Sequence, residues 1–124
     1  SGEFDWDRVY SPGDAECVQE EDAYVPIFQG LARISGLPVS ELRGHDCYHA
    51  DFTLAGHPVS FHAKETLDFL DPRAGEFLNR QIRKYLPETK ERFFLDGNRL
   101  SPIWYWGTAA EAQAVNERTG MKFR

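Results

Sequence analysis

The chain has 124 residues, of which 41% are hydrophobic and 14% aromatic, and it carries a formal net charge of −6 at pH 7. This length and apolar content are typical of one folded domain and exclude a disordered chain. The negative charge argues against nucleic-acid binding, because phosphate groups would be repelled. No apolar run approaches the roughly 18 residues that a membrane-spanning helix requires, so we expect no membrane association.

The acidic residues are concentrated at the start of the chain. Residues 1–22 hold eight acids and one base, whereas residues 23–124 are close to neutral. We interpret residues 1–22 as an irregular acidic arm, of which residues 1–4 read as a cloning remnant, and residues 23–124 as a single α+β domain. Such an arm favours recognition of a basic protein surface. The candidate partner-binding acids are Asp14, Glu16, Glu20, Glu21 and Asp22.

A first helix is predicted over residues 23–35. Ile27, Leu31 and Ile34 recur there at helical spacing, and Gly36 is a typical residue for the position that follows a helix.

A β-hairpin is predicted next. Two stretches, residues 48–54 and 59–64, alternate between apolar and polar side chains, and Gly56-His57 suits a two-residue type II′ turn between them. The apolar face is expected to be buried, so that the register is well determined. The predicted cross-strand pairs are Leu54 with Val59, Phe52 with Phe61, Ala50 with Ala63, Thr53 with Ser60, Asp51 with His62, and His49 with Lys64.

A second helix and a second pair of strands follow. Asp71 is a suitable N-cap for a helix over residues 72–86, which carries an apolar stripe. Residues 92–95 and 103–106 are predicted strands, and a turn joins them.

The last predicted helix begins at a capping box formed by Thr108 and Glu111 and ends near Gly120. The order of elements is therefore α-β-β-α-β-β-α. This order predicts an α+β fold in which four strands form one antiparallel sheet, with the helices mainly on one face.

The polar face of the hairpin carries residues of the types used in thiol catalysis. Cys47, His49 and Asp51 lie on one strand, and His62 is expected opposite Asp51. A thiolate nucleophile needs a nearby base that a carboxylate orients. However, Cys47 and Asp51 are separated by about 13 Å along an extended strand. A solvated cross-strand pair therefore explains these residues as well as a catalytic site does.

The same strand also carries residues of the types that bind zinc. Four residues have suitable side chains, but a ladder of alternate strand positions points them in parallel, which does not form a closed tetrahedron. We therefore expect no metal and no cofactor. The four residues are His45, Cys47, His49 and His62.

The chain has two cysteines, Cys17 and Cys47, which are too few for a disulfide framework. They indicate thiols in a reducing compartment, which favours a cytoplasmic location, although one bridge between them remains an alternative.

Three consecutive aromatic residues, Trp104, Tyr105 and Trp106, occur on one predicted strand. Successive aromatics on both faces indicate either a strand covered on both sides or an exposed aromatic surface. In the second case these residues are candidate anchors for a protein partner, because aromatic residues dominate interface hot spots.

From residue 48 to residue 121 the layout resembles small immunity-type proteins that are encoded beside bacterial toxins. The similar segments are YHADFTLAGHPVSFHAK, LDFLDPRAGEFLNRQIRKYL, RFFL and IWYWGTAAEAQAVNERTG. The resemblance implies a compact, acidic, cytoplasmic protein without a catalytic site, which neutralises a toxin-like effector by direct binding. A second hypothesis is a small effector or hydrolase domain from a longer protein, which would use Cys47 with His49 or His62.

Overall fold

The structure is a computed structural model, and residues 6–12, 22–44, 46–65, 70–97 and 102–124 are described. The described residues form an α+β fold, as predicted. The helices are a short 3-10 helix (Trp6–Arg8), α1 (Val25–Ser35), α2 (Ala74–Tyr85) and α3 (Ala109–Thr119). The strands are β1 (Val9–Tyr10), β2 (Val39–Gly44), β3 (His49–Leu54), β4 (His57–His62), β5 (Arg92–Asp96) and β6 (Ile103–Gly107).

The six strands form two separate antiparallel sheets of three strands each, so the predicted single four-stranded sheet is wrong. Sheet A has the order β1-β6-β5, and sheet B has the order β2-β3-β4. The two predicted hairpins do not pair with each other, because each takes a third strand from a different part of the chain. Strand β2 pairs with β3, and β1 pairs with β6.

The predicted helices are all present, with bounds that differ by at most two residues. Gly36 and Gly120 follow α1 and α3 with φ angles of 70° and 78°, a left-handed conformation that glycine adopts readily. At the start of α3, the Thr108 side chain accepts from the Glu111 N–H and the Glu111 side chain accepts from the Thr108 N–H. The predicted capping box is therefore confirmed.

Neither third strand was predicted. Strand β2 has a bulge between Ser40 and Arg43, and Glu41 within it has a φ of 55°, so its side chains do not follow a simple alternation. Strand β1 has only two residues, and it lies in the segment interpreted as an irregular arm. Its Tyr10 ring stacks on Trp104 with centroids 6.2 Å apart, so this part of the chain contacts the core.

The predicted hairpin exists, but its register is shifted by two residues. Leu54 pairs with His57, Phe52 with Val59, and Asp51 with Ser60. The cause is the turn, which consists of Ala55 and Gly56 with φ angles of 50° and 83°, as in a type I′ turn, instead of Gly56 and His57. A shift of two preserves the faces of a strand. Phe52 is therefore still buried, whereas the predicted pairs, including Asp51 with His62, are wrong.

The main core lies between one face of sheet B and the helices α1 and α2. Phe28 of α1 is at its centre, with its ring centroid 5.0 Å from Phe52 and 5.2 Å from Phe61. Phe77 of α2 contacts the same group, with its centroid 5.2 Å from Phe61. These ring contacts stabilise the apolar face of sheet B, and its other face points away from the core.

Sheet A is covered on both faces, so helices do not lie mainly on one side of it. Trp104 and Trp106 belong to the main core, whereas Tyr105, between them, packs with Ala112 and Phe123 in a second, smaller cluster. Alternation along β6 sends these aromatic side chains to opposite faces. The prediction of helices mainly on one face therefore fails for sheet A.

Candidate functional site

The outer face of sheet B carries most of the candidate residues. We define this face as the side chains that point away from the core, and none of them is buried. They alternate with the buried residues of β3 and β4, as expected for a sheet with one solvated face. The outer face comprises Ser40, Arg43, His49, Asp51, Thr53, Pro58, Ser60 and His62.

Hydrogen bonds link neighbouring side chains in the middle of the outer face. The Ser60 hydroxyl donates to Asp51 Oδ1 at 2.5 Å, and the Thr53 hydroxyl donates to Glu41 Oε2 at 2.9 Å. Asp51 thus binds a serine, and the structure places it opposite Ser60 instead of His62. The carboxylate that was expected to orient a histidine is engaged elsewhere.

His49 and His62 do come together, at one end of the outer face. They are directly paired across β3 and β4, and their ring centroids are 3.8 Å apart. Asp46 lies on the other side of His49, with its two carboxylate oxygens 2.9 and 2.8 Å from Nδ1. Glu65 Oε1 lies 3.6 Å from His62 Nε2. We call these four residues the histidine row.

Asp46 is the residue of the histidine row that the sequence pattern did not single out. It precedes β3 and accepts a hydrogen bond from the Tyr48 N–H at 2.7 Å, which holds its carboxylate beside His49. The Tyr48 N–H and then the His49 ring hold the pKa of Asp46 below its ordinary value. An aspartate two residues before its hydrogen-bonded N–H is a recognisable local turn motif, and this signal was available in the sequence.

Cys47, the candidate nucleophile, is half-buried. It lies in the turn before β3, between Asp46 and Tyr48, whose N–H donates to the Asp46 carboxylate. The structure therefore brings together His49 and His62 from the predicted catalytic set, and it replaces Asp51 by Asp46 as the carboxylate on the histidine.

The last acid of the arm lies at the same end of sheet B. A Cβ atom added to Gly44, the final residue of β2, would be 2.8 Å from the Asp22 Cα atom and closer still to its carboxylate. Asp22 is exposed and has a φ of 64°. Gly44 pairs with the buried Ala50, so Asp22 contacts the core face of sheet B. The arm therefore joins the domain at the end of sheet B that also carries the histidine row. The other candidate acids, Asp14, Glu16, Glu20 and Glu21, lie outside the described residues.

The aromatic strand is buried. Trp104, Tyr105 and Trp106 are only 1%, 4% and 7% exposed. Of the two interpretations of this strand, the structure therefore shows the strand covered on both sides. Its three side chains have no surface with which to anchor a partner in this conformation.

The free edges of the sheets are protected against pairing with another chain. On β5 the Asn79 side chain exchanges hydrogen bonds with the Phe93 N–H and C=O at 2.8 and 2.9 Å, and Leu95 exchanges two backbone bonds with Arg124 at 3.1 and 3.0 Å. Pro58 removes a donor from the outer edge of β4. Bulges, prolines and covered edges all oppose strand addition.

The candidate residues of the outer face do not line the two surface grooves described next. A groove of about 470 Å³ at the end of α2 is lined by residues 85–89, which include neither histidine nor cysteine. A smaller one of about 300 Å³ lies beside the start of α2 and is lined in part by Arg73, Glu76 and Arg124. The histidine row is therefore a surface feature and does not line either of these grooves.

Among the described residues, no group of three or more His, Cys, Asp or Glu side chains is placed to hold a metal ion. Within the same residues, no helix is long and apolar enough to cross a membrane. Comparison of the chain with models of protein families, with curated proteins and with solved structures finds no match.

Proposed function

We propose that this chain is a non-enzymatic protein-binding module, of the immunity or inhibitor kind, that neutralises a toxin-like effector in the cytoplasm by direct binding. The observation that carries the proposal is the position of Asp22. Its contact with Gly44 attaches the acidic arm to the end of sheet B where Asp46 and Glu65 lie. Acids from separate parts of the chain therefore lie at the same end of sheet B.

This arrangement suits a basic partner. The segment between residues 13 and 22 has five acids and no base, and it continues directly into the acidic end of sheet B. A concentrated negative charge attracts a basic surface over about one Debye length, roughly 8–10 Å at physiological salt. Such attraction raises the association rate more than the affinity.

The sheet edges favour binding through the outer face and the arm over binding by strand addition. Asn79 and Arg124 occupy the outer edge of β5, and Pro58 interrupts the outer edge of β4. A partner that added a strand would need a continuous row of free backbone donors and acceptors. Binding through the polar side chains of the outer face does not need free backbone donors and acceptors.

The proposal is tested by measuring the association rate against ionic strength with a partner that copurifies with the chain. Electrostatic steering of the partner by the acidic arm predicts that the association rate falls as the salt concentration rises. The double variant Glu20→Lys/Glu21→Lys should lower the rate about tenfold at low salt. Glu117→Lys is the matched control, because Glu117 is an exposed acid on α3, which packs against sheet A, and it should change the rate less than about twofold.

A rate that is independent of salt, or one that both variants lower equally, would contradict the steering role of the arm. A partner that binds the chain equally well after deletion of residues 1–21 would remove the arm from the proposal. In that case the outer face alone would have to provide the recognition.

One observation favours the second candidate, a small effector or hydrolase domain. The Asp46 carboxylate beside His49 Nδ1 is the arrangement by which a carboxylate orients a histidine base. The corresponding nucleophile would be Cys47. In a Cys17→Ser background, a catalytic Cys47 should alkylate faster than a free peptide thiol near neutral pH, and His49→Ala should remove the difference. A rate equal to that of the peptide thiol excludes this candidate.

A further inference from the structure

Residues 121–124, which we call the closing segment, follow α3 and lie along β5, the edge strand of sheet A. Leu95 and Arg124 exchange two backbone hydrogen bonds. The Leu95 N–H donates to the Arg124 C=O at 3.1 Å, and the Arg124 N–H donates to the Leu95 C=O at 3.0 Å. Two residues that exchange both bonds form the hydrogen-bonded pair of an antiparallel ladder. The closing segment is therefore held on β5 in the way that an added strand is held.

Two side chains of the domain bind the backbone of the closing segment. Asn116 of α3 accepts from the Phe123 N–H at 2.8 Å, and its amide group donates to the Phe123 C=O at 2.9 Å. Asp96, which is buried, accepts from the Lys122 N–H at 3.3 Å. All of these bonds are made to main-chain groups of the closing segment, so they recognise an extended peptide of any sequence.

The Phe123 side chain occupies a pocket between α3 and sheet A. It is 3% exposed, and its ring centroid lies 5.6 Å from that of Tyr105. Among the described residues of α3, Ala112 alone is buried, so Phe123 supplies much of the apolar contact between this helix and the sheet. In strand addition, main-chain bonds give affinity and side-chain pockets give specificity. The pocket therefore favours a segment that carries an aromatic side chain at this position.

The edge of β5 is accessible on both sides of Arg124. The groove of about 300 Å³ described above is lined by Arg124, Leu95 and Asn79, together with residues at the start of α2. A second groove, of about 280 Å³, is lined by Leu95, Gly97, Lys122 and Arg124. Leu95 lines both grooves, so both border the outer edge of β5. A ligand is therefore able to reach this edge when the closing segment leaves it.

We propose that the outer edge of β5 and the Phe123 pocket form a binding site for an extended segment of a partner protein that carries an aromatic side chain. The closing segment occupies this site from within the chain and shows the chemistry that the site accepts. While it is bound, no partner strand pairs with Leu95. The site lies on sheet A, away from the outer face and the acidic arm, and does not rest on the function proposed above.

The tether between α3 and the closing segment sets the condition for binding. A segment on a short linker has an effective concentration in the region of about 1 mM. A partner at about micromolar concentration therefore competes only when the closing segment is weakened or displaced. The closing segment thus acts as an internal inhibitor of the site.

The test measures binding of a fluorescent peptide with the sequence of residues 118–124 to the full chain, by fluorescence anisotropy. Phe123→Ala empties the pocket, so this variant should bind the peptide at least about tenfold more tightly than the parent chain does. Lys122→Ala is the matched control, because Lys122 belongs to the same segment and uses its backbone N–H in the bond to Asp96. It should bind the peptide within about twofold of the parent chain. A peptide with alanine in place of the phenylalanine should bind at least about tenfold more weakly.

Amide hydrogen exchange in the parent chain tests the opening without a substitution. The Leu95 N–H, which donates to the closing segment, should exchange through local opening. The N–H of Ile82, a fully buried residue of α2, should exchange only when the whole domain unfolds. After correction for intrinsic rates, we expect exchange at Leu95 to be at least about tenfold faster than at Ile82.

Three results would overturn the proposal. The first is equal protection of Leu95 and Ile82, because the closing segment would then never leave the folded domain; this result decides even if Phe123→Ala does not fold. The second is a folded Phe123→Ala chain that fails to bind the peptide at about millimolar concentration. The third is a Phe123→Ala chain that dimerises instead of binding the peptide, which would assign the edge to a second copy.

Discussion

Sheets A and B have the same number of strands, but their environments differ. Both faces of β6 are buried, with Trp104 and Trp106 on one side and Tyr105 on the other. In β3 only alternate residues are buried, and the remaining side chains form part of the outer face. The two sheets therefore differ in which of their faces are exposed to solvent. Sheet A is occupied by packing on both faces, whereas sheet B has a face that is available for recognition or chemistry.

The largest effect is expected from Trp104→Ala. Trp104 is almost completely buried, and its Nε1 has no hydrogen-bond partner among the described residues, so it stabilises the fold by packing alone. Its loss should lower the free energy of unfolding by about 3–5 kcal/mol, from lost burial and the cavity left behind. Urea denaturation measures this. Trp104→Phe keeps an aromatic ring and removes the unpartnered Nε1–H donor. It should therefore lower the free energy of unfolding much less than Trp104→Ala does. A cost below about 1 kcal/mol for Trp104→Ala would contradict the description of sheet A as a packed sheet.

Asp71 tests the junction between sheet B and α2. It is 1% exposed and accepts hydrogen bonds from the Lys64 N–H at 2.9 Å and from Arg73 Nε and N–H at 2.9 and 3.0 Å. Asp71→Asn should lower the free energy of unfolding by about 2 kcal/mol, because hydrogen bonds to a charged group are lost.

The same residue predicts a pH dependence. Burial opposes ionisation of Asp71, but the hydrogen bonds from Arg73 and Lys64 outweigh burial, and its pKa lies below the ordinary value. A depressed pKa in the folded state means that the stabilisation is present above the unfolded value of about 3.9 and is lost as the pH falls towards the folded pKa. Urea denaturation between about pH 6 and pH 3 should show this loss in the parent chain and a smaller one in Asp71→Asn. Parallel curves for both chains would rule out Asp71 as the source.

The smallest effect is expected on the outer face. Asp51→Ala removes the hydrogen bond from Ser60 on a solvated surface and should cost less than about 1 kcal/mol. Thermal and urea denaturation of this variant, compared with Trp104→Ala, measure the contrast between the two sheets. A cost above about 2 kcal/mol would mean that the outer face is structural and would weaken its role in recognition.

Local signals were enough to predict some elements. Periodic apolar residues with end signals such as Gly36 and the Thr108 capping box placed all three α-helices, and alternation placed Phe52 on a buried face. The alternation of apolar and polar residues along a strand determines which face of the sheet each side chain occupies. It determines less strongly which residue of the neighbouring strand lies opposite. A turn at Ala55-Gly56 instead of Gly56-His57 therefore changed every pair while the buried face stayed the same.

Helix positions, strand faces and the α+β class follow from the sequence by itself, because they depend on contacts within a few neighbouring residues. The tertiary structure decided the two sheets and the composition of the histidine row. Strands β1 and β2 are short or bulged and gain their stability only by pairing with β6 and β3, which local patterns do not encode. Likewise, His49 meets His62 only because the turn sets their register, and Asp22 meets Gly44 only where distant parts of the chain pack together.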